Sequence, residues 1–181
     1  MEILNSKQID LQIENLAKEI LNQHIDNIAI VGIQKKGVTV AKRLSKKIQS
    51  IKKTNENIPF GILDITLYRD DLQEAGADIP TIKDTDIPFD INNKNIILVD
   101  DVLYTGRTIR SALDVLKDFG RPKSIKLVVL IDRGYRELPI QADFVGLVHK
   151  TKSRVCVNIN DDISDRDVVT VEWNEKTEWI V

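Results

Sequence analysis

Apolar residues along this chain follow two periods in alternation. Ile9, Ile13, Leu16 and Ile20 recur at steps of four, three and four. That spacing predicts an amphipathic helix from about Ser6 to His24, with Ser6 as N-cap. Residues 28–33 form an unbroken apolar run that stops at "QKKG", the pattern of a strand buried on both faces and then a loop. Ala41, Leu44, Ile48 and Ile51 mark the core face of a second helix. Strands are predicted at 60–67, 95–100 and 125–131. Between the last two, Ile109, Ala112, Leu113 and Leu116 define a third helix, closed by Gly120 with Pro122 beyond it. Short apolar segments follow near 145–148, 155–159 and 168–173. Residues 69–90 show no period and are dense in acids, Gly and Pro, which predicts a long loop of the kind used as a functional lid.

Strands alternating with helices predict an α/β fold, a mostly parallel sheet covered on both faces. No repeat or Pro/Gly-rich linker divides the chain, so 1–181 reads as one domain. Ligands of such sheets sit at the C-terminal ends of strands, and residues 34–37 and 100–108 lie at such ends.

Composition narrows the chemistry. A net charge of −2 excludes a uniformly basic nucleic-acid binder; any such binding needs a local basic face. One cysteine, Cys156, excludes an intrachain disulfide and a thiolate metal cluster; it reads as a core residue. The start, "MEILNSKQID", has no apolar signal core, and no apolar run is long enough to cross a bilayer, so a cytoplasmic protein is expected. His24 and His149 sit in ordinary surface contexts.

The stretch "VDDVLYTGRT" (99–108) carries the densest chemistry. A strand-to-helix loop presents free backbone N–H groups and a partial positive charge. Gly106 lets the chain approach an anion, Thr105 and Thr108 add hydroxyls, and Arg107 adds a cation. This is a phosphate cradle, and it lacks the Walker A pattern. The carboxylates of Asp100 and Asp101 only accept hydrogen bonds, which suits vicinal hydroxyls. A ribose bearing a 5-phosphate satisfies both halves.

The same stretch resembles the signature of the type I phosphoribosyltransferases. "VGIQKKGVTVAKRL" (31–44), "DITLYRDDL" (64–72), "DIPFDI" (86–91), "ILVDDVLYTGRT" (97–108) and "VLIDRGYRELPIQAD" (129–143) together resemble the PyrR family of pyrimidine-operon regulators with uracil phosphoribosyltransferase activity. The resemblance implies a mostly parallel central sheet flanked by helices, with a small hood and a flexible lid loop. It implies conversion of uracil and phosphoribosyl diphosphate to UMP and diphosphate with Mg²⁺, the ion being held mainly by substrate and water. Asp100 and Asp101 would hold the ribose and steady charge on the sugar. Tyr104, Thr105, Gly106, Arg107 and Thr108 would hold the 5-phosphate, and Lys36 and Gly37 the diphosphate. Tyr68 and Arg69 would begin the lid, Arg69 reaching the leaving group. Ile131, Asp132 and Arg133 would recognise the base, partly through main-chain groups. An ion pair of Arg133 with Asp132 or Glu137 is the structural alternative.

The resemblance further implies a homodimer or larger homo-oligomer and an mRNA hairpin as UMP-responsive partner. Lys42, Arg43, Lys46 and Lys47, opposite the apolar stripe of the second helix, form one candidate basic face, and "HKTKSR" (149–154) adds charge. Tyr135 stands where the family often has histidine, Gln141 where it often has a cation, and Lys36 replaces an arginine. Two alternatives remain: a regulator that senses UMP without catalysis, and a phosphoribosyltransferase for another base. Lys36 and Arg69, which a pure sensor does not need, favour catalysis.

Overall fold

The computed structural model describes residues 1–53, 57–66 and 85–172. The elements in chain order are β1 (Glu2–Asn5), α1 (Ser6–Asn22), β2 (Ile28–Ile33), α2 (Lys36–Lys52), β3 (Phe60–Leu63), β4 (Asn95–Leu103), α3 (Arg107–Asp118), β5 (Ser124–Asp132), β6 (Phe144–Val148), β7 (Arg154–Asn158) and β8 (Val168–Glu172). Five strands form a parallel sheet in the order β3-β2-β4-β5-β6, and three form an antiparallel sheet in the order β1-β8-β7.

The parallel strands are buried on both faces, which is why they read as continuous apolar runs. Ile30, Ile97, Val99, Val128 and Leu130 pack with Ile9, Ile13, Leu16 and Ile20 of α1 and with Ala41, Leu44 and Ile48 of α2. Val155, Val157, Val169 and Val171 of the small sheet join that core. On the opposite face, Ala29, Val31, Ile96, Leu98, Leu127 and Val129 pack with Ile109, Ala112 and Leu116 of α3.

Several sequence expectations are corrected here. The N-cap of α1 is Asn5, not Ser6: Asn5 Oδ1 accepts from the Gln8 N–H and Gln8 Oε1 accepts from the Asn5 N–H, a capping box. The cap is moved because residues 2–5 form a strand on β8, a pairing to residues 168–170 that local periodicity does not show. α1 ends at Asn22, two residues before His24. Ile51 lies 38% exposed in the last turn of α2 and is not core. β3 stops at Leu63, and β4 runs three residues past Asp100, through both acids. Cys156 is half-buried, its Sγ donating to Glu172 Oε1 at 3.1 Å; Val155 and Val157 take the inward positions of β7. Of the expected lid, residues 69–84, Arg69 among them and Tyr68 before them, fall outside the described residues; its last residues, 85–90, are described, and Asp86 bridges antiparallel to Ile62 of β3. Among the described residues, no helix is long and apolar enough to cross a membrane.

Candidate active site

The chain leaves β2 for β3 on one side and later returns to β4 on the other side of β2. The loops after β2 and β4 therefore diverge, opening a crevice at the C-terminal edge of the sheet. Both predicted ligand loops meet there. Lys36 and Gly37 open α2, and Gly106 and Arg107 open α3; neither helix start has a side-chain cap. Two helix N-termini thus face one crevice, each with backbone donors and a partial positive charge. The Gln34–Lys35 peptide before α2 is cis.

Gly37 is where the two loops touch. A Cβ built on it would sit 2.7 Å from Val99 O, 3.0 Å from Asp100 Cα and 3.1 Å from Asp100 Oδ1. Backbone atoms of β4 cannot give way as a flexible side-chain tip does. Gly37→Ala is expected to cost about 1–3 kcal/mol of stability and to push the Lys36 loop off Asp100. Urea unfolding together with activity checks this; full stability and full activity would show that the contact is unimportant.

Asp100 is 5% exposed, and its Oδ1 accepts from the Asp101 N–H at 2.9 Å. Burial pushes the Asp101 carboxyl up, and hydrogen bonds from its neighbours with the charge of Lys36 offset this only in part. Lys36 Nζ is half-buried and donates to Ile159 O at 3.1 Å, which ties the loop after β2 to the end of β7. Gly106 has φ of +94°, a left-handed geometry that suits glycine. Arg107 Nε lies 2.7 Å from Glu137 Oε2, so the cradle cation is shared with an exposed carboxylate.

The base-side residues divide by role. Ile131 is fully buried in the sheet core, paired with Val102 of β4 and Leu147 of β6. Asp132 Oδ1 accepts from the Gly134 N–H at 2.8 Å and Oδ2 from Arg136 Nη2 at 2.6 Å. Neither expected partner of Arg133 pairs with it: Arg136 takes Asp132 and Arg107 takes Glu137. Arg133 is 9% exposed, its Nη2 donating to Lys152 O at 2.9 Å and its guanidinium 3.9 Å from the Tyr104 ring centroid. Its Nε is buried with no hydrogen-bond partner, and that burial lowers its pKa. Sequence reasoning missed Arg136. It stood within "DRGYRELPI", and its spacing of four from Asp132 was the only local signal.

On the expected basic face of α2 each cation has an acidic partner, and only Arg43 is buried. Arg43 is 4% exposed and pairs with Asp167 at 2.8 Å; Lys42 pairs with Asp161, Lys46 with Asp162 and Lys47 with Asp10. Of these, the buried Arg43–Asp167 pair ties the loop after β7 to α2, whereas the Lys42 and Lys46 pairs lie exposed.

Among the described residues no group of three or more His, Cys, Asp or Glu is gathered. Asp100 and Asp101 supply two neighbouring carboxylates at the crevice. A small hard cation held otherwise by substrate oxygens and water asks no more of a protein, so the donor set fits Mg²⁺ with a phosphorylated ligand.

The switch point thus gathers two helix starts without side-chain caps and an acidic pair between them. A family model described as "Phosphoribosyl transferase domain" matches residues 1–160, and the chain belongs to that family. Within it the chain is a member of the PyrR group. It is 54% identical to the "Bifunctional protein PyrR" of Endomicrobium trichonymphae, over 88% of this chain and 92% of that one. It is 55% identical to the protein of the same name from Elusimicrobium minutum, over 80% of each chain. Among solved structures, a hypoxanthine phosphoribosyltransferase from Trypanosoma cruzi superposes with a TM-score of 0.71 at 18% identity, covering 94% of each chain; that likeness is one of fold.

Proposed function

We propose that this chain transfers the phosphoribosyl group of phosphoribosyl diphosphate to uracil, yielding UMP and diphosphate. The observation that carries the reading is the contact of Gly37 with Asp100, which sets a loop carrying Lys36 beside the acidic pair and within one crevice of the Gly106 helix start. In this reading Asp100 and Asp101 accept hydrogen bonds from the ribose hydroxyls and lower the energy of positive charge on the ring as the C1–oxygen bond breaks. Tyr104 to Thr108 hold the 5-phosphate, with Arg107 turning from Glu137 toward it. Lys36 and the backbone at Gly37 hold the departing diphosphate. Mg²⁺, held mainly by substrate oxygens and water beside Asp100 and Asp101, would neutralise charge on that leaving group. The main chain at Ile131 to Arg133 borders the base, and Arg133 supports it through Tyr104. Tyr68 and Arg69 keep the lid role that the family implies, Arg69 on the leaving group; closure excludes water.

The experiment is UMP formation from uracil, phosphoribosyl diphosphate and Mg²⁺, with hypoxanthine, guanine and orotate as controls. Turnover on uracil alone is expected. Turnover on a purine instead overturns the choice of base, and no turnover with any base overturns the enzyme.

A second activity, binding a pyrimidine-gene mRNA hairpin in response to UMP, is favoured by one surface. Lys150, Lys152 and Arg154 are exposed, and Lys152 Nζ lies 5.6 Å from the ring centroid of the half-exposed Tyr135. Cations beside an aromatic face suit single-stranded loops. On α2, by contrast, RNA phosphates would have to displace Asp161, Asp162 or Asp10. In the same reading the protein works in the cytoplasm as a homodimer or larger homo-oligomer, which sedimentation tests.

A further inference from the structure

Arg136 has no part in the reaction just described, yet it joins the cradle loop after β4 to the segment after β5. Its Nε donates to Ile140 O at 2.9 Å. Nη1 donates to Tyr104 O at 2.8 Å and to Gly134 O at 3.1 Å, and Nη2 to Asp132 Oδ2 at 2.6 Å. The chain that carries it leaves β5, turns through Gly134 (φ +69°) and Tyr135 (φ +54°), and crosses the loop before α3. There the N–H groups of Glu137 and Leu138 both donate to Thr105 O, at 3.0 and 3.1 Å. Leu138 and Ile140 lie so close to Gly106 that a Cβ there would meet them at 3.4 and 3.3 Å.

Two consecutive carbonyls of the cradle, Tyr104 and Thr105, are therefore pulled toward the 132–140 segment. A trans peptide is planar, with its N–H opposite its C=O. Fixing the Tyr104 carbonyl turns the Thr105 N–H the other way, and fixing the Thr105 carbonyl does the same for the Gly106 N–H. Successive N–H groups turned to one side at a helix start make an anion-binding concavity. We infer that Arg136 is a positioning residue for the sugar-phosphate subsite: through Tyr104 O it orients the peptides of the cradle, and through Asp132 it links that orientation to the base side.

The inference rests on the proposed phosphoribosyl transfer and deepens it, so the test separates the two. Arg136→Ala and Arg136→Lys are compared with the wild type in three measurements: uracil turnover, affinity for ribose 5-phosphate, and affinity for inorganic pyrophosphate. Ribose 5-phosphate probes the cradle, whereas pyrophosphate probes the Lys36 loop, which Arg136 does not touch. Arg136→Ala is expected to weaken ribose 5-phosphate about tenfold or more, the scale of losing one or two oriented charge-assisted contacts. KM for phosphoribosyl diphosphate should rise in step and pyrophosphate affinity should hold. Guanidinium added to the alanine variant, or lysine at the position, should restore part of the loss. If both ligands weaken together, Arg136 merely stabilises the fold, and the inference is overturned. If ribose 5-phosphate binding is unchanged in both variants, it is overturned as well. Should Arg136→Ala fail to fold, Arg136→Lys decides by the same split. A wild type that binds ribose 5-phosphate but turns over no base sinks the transferase reading and leaves the positioning role to the binding split. A wild type that binds neither ligand sinks both.

Discussion

Asp101→Asn is expected to lower uracil turnover by about 10²–10³-fold and, at neutral pH, to raise the thermal midpoint. Both effects have one origin. Burial pushes the Asp101 carboxyl up; its hydrogen bonds, including the one with Asp100, and the charge of Lys36 pull it back only partly. The folded protein therefore holds that proton more tightly than the unfolded chain does. Below the ordinary aspartate value of about 3.9 both states carry the proton and there is no penalty. As pH rises from there through the raised folded value, stability falls, and above it a constant penalty remains. Asparagine has the same shape and none of this penalty. The variant should melt higher than the wild type at neutral pH, and the gap should close as the medium is acidified toward the ordinary aspartate value. An Asp101→Asn variant with wild-type turnover would remove the acid from the reaction, and one that melts lower at neutral pH would refute the cost of the charge. The expected combination is that of a strained functional site, where stability is given up for chemistry.

What the chain revealed before its structure was known follows from how far apart the interacting residues are. β2 could be read to the residue, because a strand buried on both faces writes its own boundaries as an apolar run. β4 could not. Asp100 and Asp101 are poor strand residues, yet β4 continues through them because Val102 and Leu103 pair with Ile131 and Asp132 of β5. Asn5 was hidden as a cap because β1 exists only by pairing with β8, more than 160 residues away. Arg43 reads from sequence as one of four cations on a candidate basic face of α2; its burial depends on Asp167, which arrives from the far end of the chain. The phosphate cradle was legible since its groups are local and ordered along the chain. Its support by 132–140 was not, since main-chain carbonyls are the acceptors and carry no residue signature. The substrates and the roles of the loops came from family resemblance, which neither periodicity nor composition supplies.

Asp167→Ala is expected to cost about 3–5 kcal/mol, the scale for breaking a buried ion pair from one side. Asp167 is 1% exposed. Its Oδ2 accepts from Arg43 Nη1 at 2.8 Å and from the Ser164 N–H at 3.2 Å, and its Oδ1 accepts from Asn160 Nδ2 at 2.9 Å and the Asn160 N–H at 3.2 Å. Removing the carboxylate strips the loop between β7 and β8 of its internal anchor. It also leaves Arg43 buried with only Asp10 nearby, at 3.7 Å and without a hydrogen bond. Replacing both partners, as Arg43→Met with Asp167→Leu, should recover part of the loss, because the uncompensated charge goes with its partner. The pH dependence runs opposite to that of Asp101. Burial pushes the Asp167 carboxyl up, but the hydrogen bonds from Asn160, Ser164 and Arg43 outweigh it and hold the group below its usual value. Its stabilisation is therefore present above the ordinary aspartate value of about 3.9 and is lost as pH falls through the lowered one. Urea unfolding should show the full gap between wild type and Asp167→Ala at neutral pH, narrowing only in acid below that ordinary value. Since Ile159 O, next to this loop, receives Lys36 Nζ, the variant should also bind pyrophosphate more weakly while keeping its ribose 5-phosphate affinity, the reverse of the split expected for Arg136→Ala. A loss of less than about 1 kcal/mol would mean that the pair behaves as an exposed one, and that the small sheet is held to α2 by apolar contacts alone.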